Sequence, residues 1–354
     1  MNMHFDHVTL GQRVLFGSGR AAGNLAAEVA RLGAGRVMVI ASGSESSLAE
    51  EVTSRIDVAV FHDDVAPHVP IAHAEAARAV ATQNAVDLLV CIGGGSTTGL
   101  AKAVALTTGL PIVAVPTTYA GSEATNVWGL TEDARKTTGV DDRVLPGTVI
   151  YDAQLTLSLP VELSVASGLN GMAHCVDSMW APHTDPINRA LAAEGIHALA
   201  AGLPAVKSDP RGLAGREQAL YGAYLSAVAF ASAGSGLHHK ICHVLGGAYN
   251  LPHAQTHATV LPYVLAFNAP AAPEAERRIA AAFGTGTALA GLDALRETLD
   301  APQALKDFGF DETQIPEAVE LILPYVPDSN PRPVTATDLD ALLRAAHAGE
   351  TPSL

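Results

Sequence analysis

Four histidines fall within sixteen residues of this chain: His238, His239, His243 and His253. His239 and His243 are spaced i, i+4, so a helix would set both imidazoles on one face, a turn apart. Gly246-Gly247 is expected to break that helix, and the chain then returns through Pro252 to His253. Imidazole titrates near neutral pH and ligates metals, so such a cluster suits holding a metal, passing protons or binding an anion. Asn170 and His174 repeat the i, i+4 spacing upstream. With His239 and His253, His174 completes a three-histidine set. Asn170 makes a poor fourth ligand, because a neutral amide oxygen binds a cation more weakly than a carboxylate does.

A second kind of chemistry lies nearer the N-terminus. Gly93-Gly94-Gly95-Ser96 follows an apolar run and opens a helical pattern. Glycines let backbone N–H groups approach a ligand, and a helix N-terminus favours negative charge, so this stretch reads as a pyrophosphate cradle. Lys102 is not placed as in a Walker loop, which argues against an NTPase. Gly17-Ser18-Gly19 with Gly23 gives the weaker pattern G-x-G-x-x-x-G. A NAD-specific site of the usual kind has an acid after its second strand. Here that strand ends Ala41-Ser42-Gly43, which leaves Ser42 at the nucleotide, so NADPH should be tolerated beside NADH. The loop from Pro116 to Glu123 carries Thr117, Thr118, Tyr119 and Ser122, neutral donors suited to ribose, a nicotinamide amide or a substrate carboxylate.

These loops need elements to hold them. Strands are expected at 14–16, 36–41, 58–61, 87–92, 111–116 and 149–151, with helices between at 20–32, 71–85 and 98–106. This alternation predicts a parallel, doubly wound sheet. After Leu159-Pro160 strand signals nearly vanish, and Ala/Leu-rich helical stretches follow at 161–180, 188–205, 216–231, 273–290 and 338–348. Two domains are therefore expected, an α/β unit over 1–160 and an all-helical unit over 161–354. A net charge of −15 argues against nucleic acid and anionic membranes. No signal peptide or spanning segment is evident, and three scattered cysteines suit a reducing, cytoplasmic setting. Cys175 and Cys242 each adjoin a key histidine, and both are expected near the site.

These motifs, in this order, resemble the iron-containing (group III) alcohol dehydrogenase superfamily. The match runs through Gly93–Ser96 with Lys102, PTTYAGSEAT (Pro116–Thr125), VIYDAQLTLSLP (Val149–Pro160), Asn170–His174 and His239–His253. The resemblance implies a dinucleotide domain, a helical domain of the dehydroquinate synthase-like type, a site in the cleft between them, and a homodimer. It also implies that His174, His239 and His253 occupy positions that hold metal, with His243 a further active-site histidine. Asn170 stands where the superfamily has an aspartate ligand, and Gly99 where its glycine loop usually has aspartate. Both departures resemble the maleylacetate reductase branch, so no metal is expected to be needed.

In that branch, NADH or NADPH reduces the carbon–carbon double bond conjugated to the ketone of a dicarboxylate. Charge then develops on the ketone oxygen, where fixed donors or a cationic imidazole stabilise it. His243 is the candidate acid for the α-carbon. His174, His239 and His253, free of metal and partly protonated, would hold a carboxylate, giving an acidic protein a local positive pocket. Tyr119 supports nicotinamide or substrate, and Lys136, in the loop DARKTTGVDD, adds a charge; Arg332 reads as structural. Two rivals remain. A metal-dependent alcohol or polyol dehydrogenase is disfavoured by Asn170. A dehydroquinate-synthase-like lyase would need a basic phosphate grip, and the helical half has no basic cluster.

Overall fold

A computed structural model describes residues 4–132 and 135–352. The chain forms two compact units, one over Leu10–Leu159 and the other over Pro160–Leu354. The described residues up to Thr9 belong with the second unit rather than with the sheet, where His7 Nδ1 lies 2.7 Å from Asp185 Oδ2.

The first unit is built on β1 (Arg13–Phe16), β2 (Val37–Ile40), β3 (Val58–His62), β4 (Leu88–Gly93), β5 (Ile112–Pro116) and β8 (Thr148–Tyr151). They form one parallel sheet in the order β1-β8-β5-β4-β2-β3. Every residue of β2, β4, β5 and β8 is buried. That explains the unbroken apolar runs, since helices cover both faces of such a sheet. The helices are α1 (Ala21–Leu32), α2 (Ser46–Thr53), α3 (Ile71–Gln83) and α4 (Gly95–Thr108). After β2 the chain crosses outward to β3, and after β4 it crosses the other way to β5. The adjacent strands β2 and β4 therefore flank the topological switch point, and ligands of doubly wound sheets bind outside the carboxyl ends of strands at such a point. An antiparallel hairpin of β6 (Val127–Glu132) and β7 (Arg135–Val140) was not expected from the sequence. Its threonines and charges lack a strong alternating pattern. Lys136 thus lies on a strand opposite Thr131, not in a loop; its side chain is outside the described part of the structure.

The second unit contains α5 (Val161–Ser178), α6 (Pro186–Ser208), α7 (Leu213–Ala233), α8 (Leu237–Tyr249), α9 (His253–Asn268), α10 (Pro273–Phe283), α11 (Ala288–Leu299), α12 (Ile315–Ile322) and α13 (Ala336–Ala348). The expected break at Gly246-Gly247 does not occur: α8 runs through both to Tyr249 and ends at Asn250 in the left-handed conformation. A glycine inside a helix costs only about 1 kcal/mol relative to alanine, and Ile241, Cys242 and Leu245 anchor the helix in a core shared with α9, α12 and α13. The stretch 273–290 is two helices, parted where Gly284 takes a left-handed φ of 72°. Pro262 lies within α9 and hides that helix from pattern reading. Among the described residues, no helix is long and apolar enough to cross a membrane.

Candidate active site

Three helices of the second unit build the histidine cluster. α5 supplies Asn170, His174 and Asp177; α8 supplies His238, His239, Cys242 and His243; α9 supplies His253 and His257. His174 and His239 stack with ring centroids 4.9 Å apart and planes 15° from parallel. Phe230 of α7 packs on both, at 4.8 and 4.3 Å. His243 lies 5.9 Å from His239 and 6.4 Å from His253, and His253 lies 4.4 Å from His257. The four histidines singled out in the sequence therefore do gather. His174 and His239 are sealed from solvent, His243 is half-buried and His253 is exposed.

Three participants were given no role by the sequence, although His238 stands in its histidine cluster. Asp177, fully buried, accepts hydrogen bonds from the backbone N–H of Gly236 at 2.9 Å and of His239 at 3.4 Å. Its Oδ2 also lies 2.7 Å from His239 Nδ1. Gly236 is required there, because a β-carbon would collide with the Asp177 carboxylate. The other two are His238 and His257, whose Nε2 and Nδ1 are 2.9 Å apart and share a proton; Cys242 Sγ is 3.6 Å from the same Nε2. The signal for Asp177 was its place three residues after His174, on the same helical face. Cys242 does lie in the cluster, and Cys175 is buried on α5.

The electrostatics correct one expectation. Burial depresses the His174 pKa to about 4 and the His238 pKa to about 3, and the neighbouring His174 and His243 push His238 further down. His239 and His257 lie well below the usual imidazole value, again through burial first and neighbouring histidines second. At neutral pH His174 and His239 are therefore uncharged rather than partly protonated: removal from water disfavours the cation more than one carboxylate restores it. Burial also raises Asp177 to about 6, against the opposing pull of its backbone N–H donors.

Asn170 Oδ1, His174 Nδ1 and His239 Nε2 are buried without a hydrogen-bond partner. Buried polar atoms of this kind are ordinarily satisfied, and a group of them points to something bound. The set is a weaker metal site than one with an acid at position 170. None of Asn170, His174, His239 and His253 is anionic, so a dication would be buried without a charged ligand. The one carboxylate, Asp177, faces the Nδ1 side of His239. Among the described residues, the ligand atoms that all lie within 4.8 Å of one another belong to His238, Cys242 and His257.

In the first unit the carboxyl edge of the sheet gathers the loops expected to hold a nucleotide. Thr117 donates its backbone N–H to Gly93 O at 3.1 Å, joining the ends of β4 and β5. Gly93 has φ 153°, and a β-carbon there would stand 2.5 Å from Thr97 Oγ1 and 2.6 Å from Glu45 Oε2. One on Gly94 would stand 3.0 Å from Thr118 Cγ2, and one on Gly95 3.6 Å from Ala120 Cβ. Such a cradle, open only because side chains are missing, fits the close approach of a pyrophosphate. α4 begins there with no side-chain cap, Ser96 lies in its first turn, and Ser122 opens a short 3₁₀ turn at 122–124. Ser42 donates to Glu45 Oε2 at 3.0 Å. Glu45 is thus a carboxylate beyond the second strand that pattern reading did not place.

The Gly17–Gly19 turn is already filled. Asp152, from beyond β8, accepts the N–H groups of Gly19, Arg20 and Ala21 at 2.8–2.9 Å. Lys102 is a buried staple that donates to Thr125 O and Val127 O at 2.8 Å, and burial lowers its pKa to about 7. Tyr119 is fully buried. At Gly99 a β-carbon would stand 2.8 Å from Val69 Cγ2, so the aspartate usual there would need Val69 to move. Arg332 lies over the Phe267 ring, 4.0 Å from its centroid, and pairs with Asp338.

Comparison with known proteins agrees with this architecture. A family model described as iron-containing alcohol dehydrogenase matches residues 11–153, and one for the C-terminal region of the Fe-containing alcohol dehydrogenase family matches residues 164–347. The chain belongs to the iron-containing alcohol dehydrogenase family, and it is an oxidoreductase. Within that family it is 45% identical over 352 residues to maleylacetate reductase of Pseudomonas sp. (strain P51), covering 99% of each chain. The crystal structure of maleylacetate reductase from Agrobacterium tumefaciens superposes with a TM-score of 0.94 at 39% identity, covering 99% of this chain and 100% of that one. That of an iron-containing alcohol dehydrogenase from Corynebacterium glutamicum gives 0.98 at 66% identity, covering 100% and 99%.

Proposed function

We infer that this chain is a maleylacetate reductase, which saturates the conjugated carbon–carbon double bond of maleylacetate to give 3-oxoadipate with NADH or NADPH. The observation that carries this reading is Asn170 in place of a metal-binding acid, in a chain 45% identical over 352 residues to a maleylacetate reductase. A set with the neutral amide of Asn170 in place of an acid binds a dication more weakly than the superfamily's set does. The alcohol or polyol dehydrogenase alternative requires that dication.

The chemistry a bound NAD(P)H supplies is hydride, delivered to the alkene carbon β to the ketone. Gly93, Gly94, Gly95 and Ser96 hold the pyrophosphate, with Thr117, Thr118, Ser122 and Ser42 at the nucleoside portions; Tyr119, fully buried, supports this loop through packing. As hydride adds, negative charge grows on the ketone oxygen, and a pre-placed imidazole beside it lowers the barrier. His239 suits that role once its Nε2 carries a proton relayed from solvent through half-buried His243, whose ring lies 5.9 Å away, with Asp177 fixing the ring at Nδ1. His174 and Asn170 orient a carboxylate, and Lys136 is a further candidate for it. The α-carbon then takes a proton, and His243 is the candidate donor. Being half-buried, it can exchange with solvent, whereas His174 and His239 cannot. No metal ion is needed in this scheme. The enzyme is further proposed to act in the cytoplasm as a homodimer, in bacterial breakdown of aromatic compounds.

The test is NADH oxidation by chelator-treated, metal-assayed protein supplied with maleylacetate. Rapid turnover without metal is expected. Turnover only after iron or zinc is restored would assign Asn170 and the histidines to a Lewis acid instead, and no turnover under either condition would move the substrate to alcohols or polyols.

A further inference from the structure

We propose that Glu45 selects NADH over NADPH, by accepting the adenosine ribose hydroxyls and repelling a 2′-phosphate. The inference rests on the nucleotide assignment above and sharpens it. It also reverses the tolerance of NADPH expected from Ala41-Ser42-Gly43.

The argument begins with topology. β2 and β4 are neighbours whose chains leave in opposite directions, so the crevice at their carboxyl ends is where a doubly wound sheet takes its ligand. The Gly93–Ser96 turn forms one wall. The other is the segment after β2, and a regular continuation would carry it away from the crevice. Instead residues Gly43–Glu45 make a 3₁₀ turn, which folds the Glu45 side chain back over the strand ends. Thr117 Oγ1, at the end of β5, donates to Glu45 Oε1 at 2.6 Å, and Ser42 Oγ, beyond β2, donates to Oε2 at 3.0 Å. Oε2 also lies close above the α-carbon of Gly93, where a β-carbon would be 2.6 Å away. Three strand ends thus fix one carboxylate beside the glycine turn.

Its chemistry follows from its electron pairs. An ionised carboxylate only accepts hydrogen bonds and has about four lone-pair sites. Thr117 and Ser42 engage one on each oxygen. Glu45 is half-buried, so its outer side is open to further donors. The 2′ and 3′ hydroxyls of an adenosine ribose are a matched pair of donors. A 2′-phosphate offers an acceptor where a donor is needed and brings like charge to a carboxylate held in place on both oxygens. Like charges so juxtaposed disfavour binding. The acid that a NAD-selective sheet carries after its second strand is therefore supplied here from within the next turn.

The test reads binding without substrate, by nicotinamide fluorescence, for NADH and NADPH on the wild-type chain, Glu45→Gln and Glu45→Ser. The wild-type chain should bind NADH at least about tenfold more tightly than NADPH. Both variants should lose NADH affinity and gain NADPH affinity, bringing the two within about threefold. Competition by ADP against adenosine 2′,5′-bisphosphate on the wild-type protein gives the same discrimination without any substitution, with ADP the stronger competitor. Equal binding of both nucleotides by the wild-type chain, or a ratio unchanged in a variant that melts normally, overturns the role of Glu45 and leaves the reductase assignment standing. Failure of the wild-type chain to bind either nucleotide overturns that assignment, and this inference with it.

Discussion

The first unit contains two glycine-rich turns that each join a parallel strand to a helix, and they have opposite fates. At the β1–α1 turn, the N–H groups of Gly19, Arg20 and Ala21 all point at the carboxylate of Asp152, which is buried. At the β4–α4 turn, no side chain caps the helix, and the glycines face residues whose bulk would fill the space a β-carbon needs. Both turns have the same physical capacity, since the first N–H groups of a helix have no partner within it and favour negative charge. The chain fills one with its own anion and leaves the other without one, at the turn proposed above to take the nucleotide. The second unit repeats the first solution: Asp177 accepts the N–H of Gly236 at the start of α8, and with the same oxygen it holds His239. There the internal anion closes a helix end and orients a functional side chain at once. A glycine turn therefore identifies a binding site only together with the residue, often distant in sequence, that leaves it open or shuts it.

The largest effect should come from removing the anion at the closed turn. Asp152→Ala leaves four backbone donors without their acceptor, those above and that of Gln154 at 3.0 Å. Hydrogen bonds to a charged group contribute about 1.5–3 kcal/mol each, with partial recovery by water where the turn is exposed. A loss of about 3–5 kcal/mol in unfolding free energy is expected by denaturant titration, with nucleotide affinity changed less than about threefold in the protein that remains folded. A variant of normal stability and altered nucleotide affinity would mean that both turns bind ligand.

The open turn should respond in the reverse sense. Gly93→Ala must adopt φ 153° and drive its β-carbon into Thr97 and Glu45. Such backbone strain costs about 1–3 kcal/mol, and it falls where the pyrophosphate is proposed to bind. Affinity for NADH should drop about 30–100-fold. Gly19→Ala, also at positive φ (71°) but facing only the amide of Gln154 at 3.3 Å, should lower stability by about 1 kcal/mol and leave nucleotide binding intact. If both glycines affect binding alike, the contrast between the turns fails.

These residues also mark the limit of what the sequence discloses. The sheet was legible because its strands are short, β-branched and buried on both faces, as in Leu88–Gly93. His239 and His243 were legible through helical spacing, His174 through its place after Asn170, and His253 through the family resemblance. Gly93–Ser96 was legible as a turn, but its openness was not, for that depends on what other segments do not place there. Asp177 and Asp152 act on backbone 59 and 131–133 residues away, and no local pattern encodes such a pairing. Glu45 was hidden by a single 3₁₀ turn that reverses its direction. The charge expected at His174 and His239 was misread for the same reason: residue type suggests a cation, and only burial, a property of the whole unit, removes it. Gly246-Gly247 failed as a helix stop because core packing on either side outweighs two small backbone penalties.

The smallest effect follows from that burial, and its sign can be fixed. An unfolded chain binds protons at its histidines near pH 6.5. In the folded unit His174 titrates at about 4 and His238 at about 3, with His239 and His257 well below 6.5. Between those values the unfolded state holds more protons, so unfolding free energy is full above about pH 6.5 and falls as pH drops toward 4. Asp177, raised to about 6, opposes this: between about 6 and its ordinary value the folded state holds the extra proton. Four groups against one leaves a net loss of stability on acidification. Each proton of difference contributes about 1.4 kcal/mol per pH unit. His257→Asn, which can still accept or donate toward His238, removes one such group. Its unfolding free energy, measured by denaturant at pH 7, 6 and 5, should fall less steeply than that of the wild-type chain, by about 1.4 kcal/mol per pH unit below pH 6. Parallel slopes for the two proteins would mean that His257 titrates normally in the folded chain, and that the cluster is wetter and more cationic than its burial implies.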